Sequence, residues 1–304
     1  MKYLILGGSG FIGQAIVDRL IINNEVIVAD KKSSEINCEY VYCDLTKINY
    51  EHLPDDVDII INCASVLGIS RVEKKPFETL INNFYCAKSG LEIALYQKSL
   101  KKYVYFSSSE VYGKFANNKS EYDSLTIENT CESRWSYATS KIYAEELTFS
   151  FCKTHKIPFL IIRPFNIYGV GRKKEGAINS LIYQAVNYQS VRVTGTGDQT
   201  RAWCNIEDFV DGLLLCLEKG SDNTIYNIGN PNELYSINDI VLIITDIIGK
   251  SINIYFEDND NQMDIIARSP NINKLKALGY RPKITVYDGI QEIIKKGYKH
   301  EAKS

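Results

Sequence analysis

The stretch GGSGFIG at residues 7–13 limits this chain's fold more than any other segment. It follows the apolar run KYLIL and opens FIGQAIVDRLIIN, whose apolar residues recur with helical spacing. Gly7, Gly10 and Gly13 give the pattern G-x-x-G-x-x-G. A chain that leaves a strand and enters a helix this quickly needs a positive φ and close backbone approach, and glycine permits both. The helix then points its first N–H groups, those of Phe11, Ile12 and Gly13, and its positive dipole end out of the turn. Such a cradle suits the pyrophosphate of a dinucleotide.

The pattern continues as alternating strands and helices. EVIVAD, VDIIINCAS, KKYVYFSSS and PFLIIRPFN read as buried strands. PFETLINNFYCAKSGLEIALYQ and SYATSKIYAEELTFSFCKTH read as helices between them. Strands that alternate with helices predict an α/β fold, a doubly wound parallel sheet covered on both faces. After about residue 169 the pattern loosens into glycine-bearing loops, the short strand TIYNIGN, and the helices NIEDFVDGLLLCLEKG and SINDIVLIITDIIGK. The expected organisation is a dinucleotide-binding domain over 1–168 and a smaller mixed α/β substrate-binding region over 169–304, with about 203–228 returning to the first domain.

Composition closes off several function classes. The net charge of −2 provides no broad basic field for nucleic acid or an anionic membrane. The eight cysteines form no C-x-x-C pair, and the three histidines lie far apart, so no metal site is expected. The cysteines read as reduced thiols in apolar runs. The N-terminal apolar run YLIL is too short for a signal-peptide core, and no run approaches the length of a membrane span. The cytoplasm is the expected location.

Asp30 ends the second strand, where a carboxylate meets the adenosine ribose and repels a 2′-phosphate. NAD is therefore expected over NADP, with Lys31 and Lys32 counting slightly against. The serines of FSSSEVYG (106–113) lie at the carboxyl end of a strand, where ligands bind in such sheets. In RWSYATSK (134–141), Tyr137 and Lys141 stand one helical turn apart. A free phenol, with a pKa of about 10, is a poor base at neutral pH. An ammonium within about 4–6 Å favours the phenolate. The pair therefore reads as a base and its electrostatic activator, with a serine to hold the substrate oxygen.

Together these features resemble the extended short-chain dehydrogenase/reductases, specifically the NAD-dependent epimerase/dehydratase group that acts on nucleotide sugars, with a Rossmann-type fold. CDLT resembles the segment by which that group contacts adenine, here Asp44 and Leu45. INCAS resembles its cofactor-lining fourth strand, with Cys63 and Ala64 at the small positions. INNFYCAKSGLEIA resembles its N-x-x-G-T helix, with Asn83 at the asparagine and Cys86 in place of the glycine. RPFNIYG, GTGDQTRAWCNIEDFVDG and ARSPNINKLKALGYRPK resemble its later motifs. The resemblance implies Ser108 as catalytic hydroxyl, Tyr137 as general base and Lys141 as its partner. It implies Asn166, Arg201 and Arg268 on the nucleotide diphosphate, and a homodimer paired through the helices around 76–98 and 136–155.

In that family hydride leaves sugar C4, and the 4-keto intermediate then permits several outcomes. Epimerisation demands least beyond the Ser108, Tyr137 and Lys141 set and is the first expectation. A 4-dehydrogenase releasing the keto sugar, a uronate decarboxylase and a 4,6-dehydratase are the alternatives, and a non-catalytic NAD-binding sensor is the alternative of another class. Ser109 stands where glucose dehydratases carry an aspartate, and Ser-Ser-Glu resembles uronate decarboxylases and GDP-mannose dehydratases. Glu110 is then either an acid/base at the sugar's C5–C6 end or a carboxylate that orients a loop.

Overall fold

The computed structural model describes residues 1–304 except 34–36, 48–51, 67, 173–174, 258–264 and 298–304. The chain forms two compact units that interleave in sequence. The first comprises Met1–Gly113, Ser124–Arg163 and Cys216–Tyr226, and the second Lys114–Asp123, Pro164–Leu215 and Asn227–Ser304.

The seven-stranded sheet runs in the order Thr224–Ile228, Phe159–Pro164, Lys102–Phe106, Ile59–Asn62, Lys2–Leu6, Glu25–Asp30, Glu39–Tyr42. From Phe159–Pro164 to Glu39–Tyr42 every neighbouring pair is parallel. The doubly wound parallel sheet expected from the sequence is therefore present. Its central strands are nearly continuous apolar runs because helices cover both faces, and Ile5, Val28, Ile60 and Val104 are at most 1% exposed. The order reverses between Lys2–Leu6 and Ile59–Asn62, so the loops at their carboxyl ends open at a topological switch point. The edge strand Glu39–Tyr42 is an addition to the sequence reading; half-exposed and four residues long, EYVY carries no buried-strand signal.

The helices Phe11–Leu20, Pro76–Tyr96 and Ser136–His155 belong to the same unit. Pro76 stands in the first turn of its helix, where a missing N–H costs nothing. Ser136–His155 coincides with the segment read as helical, and Lys156 closes it in the left-handed conformation.

The second unit holds a four-stranded mixed sheet in the order Leu234–Ser236, Thr200–Ala202, Ala267–Pro270, Phe115–Lys119. Its core gathers Leu181, Ile182, Val191, Ile240, Ile244 and Ile290. The helix Ile237–Ile248 starts with a capping box, Ser236 accepting from the Asp239 N–H while Asp239 accepts from that of Ser236.

All eight cysteines are free thiols, five of them buried, while Cys131 is exposed. Among the described residues no helix is long and apolar enough to cross a membrane.

Candidate active site

The glycine turn is a close fit of backbone on backbone. Gly7 has φ +78°, and a Cβ there would stand 2.7 Å from the Ala64 Cα. A Cβ on Gly13 would stand 2.5 Å from the Gly7 carbonyl oxygen. Gly10 N-caps the helix Phe11–Leu20 with no side-chain hydrogen bond, and no acidic residue occupies its first turn. The cradle fits the pyrophosphate of a dinucleotide.

Asp30 fastens this turn. Its Oδ2 accepts from Ser9 N at 3.1 Å and its Oδ1 from Lys32 N at 3.0 Å. Lys31 Nζ lies 3.8 Å from Asp44 Oδ1, so its charge is engaged by a carboxylate and the objection it raised to NAD is weakened. Burial opposes ionisation of Asp44, but two Thr46 hydrogen bonds, Lys31 and Lys47 bring its carboxyl below the ordinary value. Leu45 is buried, and its carbonyl accepts from Ser89 Oγ at 2.8 Å. Cys63 Sγ donates to the Leu6 carbonyl at 3.1 Å, and the Ala64 N–H to Asn62 Oδ1 at 3.2 Å.

Ser108 N-caps the 3₁₀ turn Ser109–Tyr112, accepting from Glu110 N at 3.2 Å. Tyr137 lies in the first turn of Ser136–His155, half-buried, with Lys141 one turn further on and 2% exposed. Lys141 Nζ donates to the Phe106 carbonyl at 2.7 Å and to Tyr105 OH at 3.2 Å, and stands 5.9 Å from the Tyr137 ring centroid. Burial pushes its ammonium down to about 8, against smaller opposing contributions from Cys86, Cys63 and Glu145. A buried cation beside the phenol ring can favour phenolate.

Asn83 ties this helix to the loop after Asn62. It accepts from Val66 N at 2.7 Å and donates to Ser140 Oγ at 3.0 Å. Ser140 in turn donates to the Tyr137 carbonyl at 2.7 Å. Cys86 is 9% exposed, and nothing in the structure explains why it replaces a glycine.

Glu110 is held by a residue the sequence reading passed over. Arg134 Nη1 donates to its Oε2 at 2.8 Å and Nη2 to its Oε1 at 3.1 Å, a bidentate fork. The guanidinium also stands 5.1 Å from the Trp135 ring centroid. Arg134 was legible only as a basic residue beside a tyrosine; its partner lies 24 residues away.

In the second unit, Arg201 and Arg268 are register partners on adjacent parallel strands, so their side chains leave the same face. Arg268 is 5% exposed. Asn166 takes φ +45°, and its Nδ2 donates to the Ala202 carbonyl at 3.0 Å. Asn179, 3% exposed, donates to the Gly169 carbonyl at 3.0 Å, while its Oδ1 accepts no hydrogen bond among the described residues. A buried amide oxygen of this kind is suited to a ligand donor. The sequence reading missed it because INSLIYQ shows only an apolar helix face.

Comparison with known proteins shows the family. The NAD dependent epimerase/dehydratase family matches residues 3–229. A UDP-N-acetyl-alpha-D-glucosaminuronate decarboxylase from Bacillus cytotoxicus is 29% identical, with 96% of each chain covered. UDP-glucuronic acid decarboxylase 5 of Arabidopsis thaliana is 32% identical over 95% of this chain and 87% of its own. Among solved structures, UDP-glucuronic acid 4-epimerase from Bacillus cereus, in complex with UDP-glucuronic acid and NAD, superposes with a TM-score of 0.88 at 27% identity, covering 98% of this chain and 100% of that one. With its glycine cradle and its serine, tyrosine and lysine set, this chain belongs to the NAD dependent epimerase/dehydratase family.

Proposed function

We propose that the protein binds NAD and oxidises C4 of a nucleoside-diphosphate sugar, with epimerisation as the net reaction. The observation that carries this reading is the buried Lys141 ammonium, 5.9 Å from the ring of a half-buried Tyr137 and next to the turn that bears Ser108. NAD bound on Gly7, Gly10, Phe11, Ile12 and Gly13, with Asp30, Asp44, Leu45, Cys63 and Ala64 around it, would accept and return a hydride. Tyr137 takes the C4 hydroxyl proton, Lys141 stabilises the phenolate, and Ser108 orients the sugar oxygen. Asn166, Arg201 and Arg268 hold the diphosphate, for which guanidinium forks are suited. The division into a cofactor region over 1–168 and a nucleotide-sugar region over 169–304 is part of the same proposal.

A UDP-linked uronic acid is the first substrate to offer, because two relatives and the 4-epimerase structure share that class by name. A second reading, decarboxylation, is favoured by the relatives named decarboxylases and by the Ser-Ser-Glu segment that carries Glu110. Incubation of UDP-glucuronic acid with enzyme and NAD separates them. A product of unchanged mass with a new chromatographic position means epimerase, and loss of CO₂ means decarboxylase. Loss of water or of two hydrogens would point to dehydratase or 4-dehydrogenase chemistry. If no sugar turns over and Tyr137→Phe leaves NAD binding intact, the non-catalytic sensor replaces the enzyme reading.

The same reading includes a cytoplasmic homodimer. Phe77, Ile81, Leu95 and Tyr96 on Pro76–Tyr96, and Tyr143 and Phe149 on Ser136–His155, are exposed apolar side chains on two helices of one unit. Light scattering at micromolar concentration is expected to give twice the chain mass, and Phe77→Glu to shift it to one.

A further inference from the structure

Four buried side chains bracket the turn that carries Ser108 and Glu110. Ser107, immediately before Ser108, donates from its Oγ to Glu145 Oε1. Tyr112, the last residue of the turn, accepts at its hydroxyl from Arg163 Nη1 at 2.7 Å. Glu145 and Arg163 close the ring, Nε to Oε1 at 2.8 Å and Nη2 to Oε2 at 2.6 Å. The guanidinium also lies 5.0 Å from the Tyr112 ring centroid. Exposures are 4% for Ser107, 5% for Glu145, 2% for Arg163 and 1% for Tyr112.

The positions matter as much as the bonds. Tyr137, Lys141 and Glu145 stand at i, i+4 and i+8 of one helix and share its face. Glu145 therefore ties the helix face that carries Tyr137 and Lys141 to the residue preceding Ser108. Arg163, from the strand Phe159–Pro164, carries the tie on to the far end of the same turn. An apolar pair of similar volume would join helix and strand at no desolvation cost. It could not supply directional bonds at both ends of a four-residue turn. A planar guanidinium whose N–H groups point in fixed directions can.

We propose that Glu145 and Arg163 are positioning residues: their ion pair, through Ser107 and Tyr112, sets the Ser108 turn in register with the helix face bearing Tyr137 and Lys141. The inference rests on the reading that Ser108 and Tyr137 act on the same sugar oxygen. It also makes a claim about the turn itself, which is open to test without turnover.

The experiment uses the NAD-loaded full chain and two small deletions, Ser107→Ala and Tyr112→Phe, each removing one tie and leaving the ion pair in place. Hydrogen exchange across residues 104–115 is expected to accelerate in both variants by more than in the remaining strands of the sheet, beyond what the modest fall in Tm from an unpartnered buried group accounts for, with NAD affinity unchanged. Protection equal to that of the parent would overturn the proposal, whether or not a substrate has been found. With an active substrate, kcat is expected to fall about 10- to 100-fold, the loss associated with a misplacement of roughly 1 Å, while KM stays within about twofold. In a Ser108→Ala background the Tyr112→Phe loss is expected to shrink towards nothing, because the residue it positions is gone. An undiminished loss there means general scaffolding and overturns the proposal. A parent that turns over no sugar, with variants that still exchange faster across the turn, counts against the proposed function and leaves the positioning role supported. Arg163→Lys, which keeps the charge without the fork, is expected to lose more protection across 104–115 than Tyr112→Phe, because it loosens the Glu145 pair as well as the Tyr112 tie.

Discussion

Arg201 and Arg268 face each other in register across two parallel strands, Thr200–Ala202 and Ala267–Pro270. Both side chains leave the same face of the sheet, and Arg268 is 5% exposed. An anion bridging the two guanidinia would gain charge-assisted hydrogen bonds from each. UDP at about 100 times its Kd is expected to stabilise the protein by about 2.7 kcal/mol, read as a rise in Tm. Arg268→Met is expected to lose most of that rise. Its KM for the nucleotide sugar should increase roughly 10- to 100-fold, from about 1.5–3 kcal/mol for hydrogen bonds to a charged group. A loss confined to kcat would remove the diphosphate assignment.

Lys141 makes the site sensitive to alkali. Its folded value of about 8 lies below the ordinary 10.5 because burial disfavours the ammonium. Turnover that depends on its charge is expected to fall as pH rises through about 8. Stability moves the other way. Between about 8 and 10.5 the unfolded chain holds a proton that the folded chain has given up, so this group's contribution rises with pH across that window. The difference in unfolding free energy between Lys141→Met and the unliganded parent is expected to narrow by about 2–3 kcal/mol from pH 7 to pH 10. A difference that stays constant would mean that Lys141 keeps its ordinary affinity for protons.

Much of this site could be read before the fold was known, for local reasons. The glycine turn and Tyr137 with Lys141 each depend on residues close together in sequence, and spacing alone shows what they share. Residues that act through distant partners could not be read this way. PFLIIRPFN shows a buried strand with an arginine in it, a signal that a partner must exist, but not that the partner is Glu145 on a helix. Arg134 and Glu110 are likewise joined only by tertiary structure. The strand Phe115–Lys119 escaped notice because FANNK has no apolar alternation and passes through a left-handed residue at Asn118. It exists because Ala267–Pro270 pairs with it.

Gly13 offers a direct test of the cofactor cradle. An added methyl would stand 2.5 Å from the Gly7 carbonyl oxygen and 2.7 Å from the Gly8 Cα, both backbone atoms that cannot swing away. Overpacking of this kind costs about 1–3 kcal/mol. If the turn gives way, Gly13→Ala should weaken NAD binding roughly 5- to 150-fold by calorimetric titration. Asp30→Ser should narrow the preference for NAD over NADP, since it deletes the carboxylate that repels a 2′-phosphate. An unchanged preference would take Asp30 out of the ribose site.

The Arg134–Glu110 fork, with side chains 11% and 14% exposed, is close enough to burial for single and double replacement to differ in kind. Arg134→Met leaves a carboxylate short of its bidentate donor, and Glu110→Met strands a guanidinium. Breaking one side of a buried pair costs about 3–5 kcal/mol, and partial exposure reduces that here to about 2 kcal/mol. Replacing both removes the desolvation cost with the attraction, so the double variant is expected to unfold within about 1 kcal/mol of the parent. Activity need not follow stability. If Glu110 acts chemically at the sugar, the restored double variant stays as slow as Glu110→Gln. If the carboxylate only orients the turn, refilling the space with two methionines recovers turnover together with the Tm. Denaturant unfolding and initial rates on the two single methionine variants, the double variant and Glu110→Gln separate the two roles of Glu110.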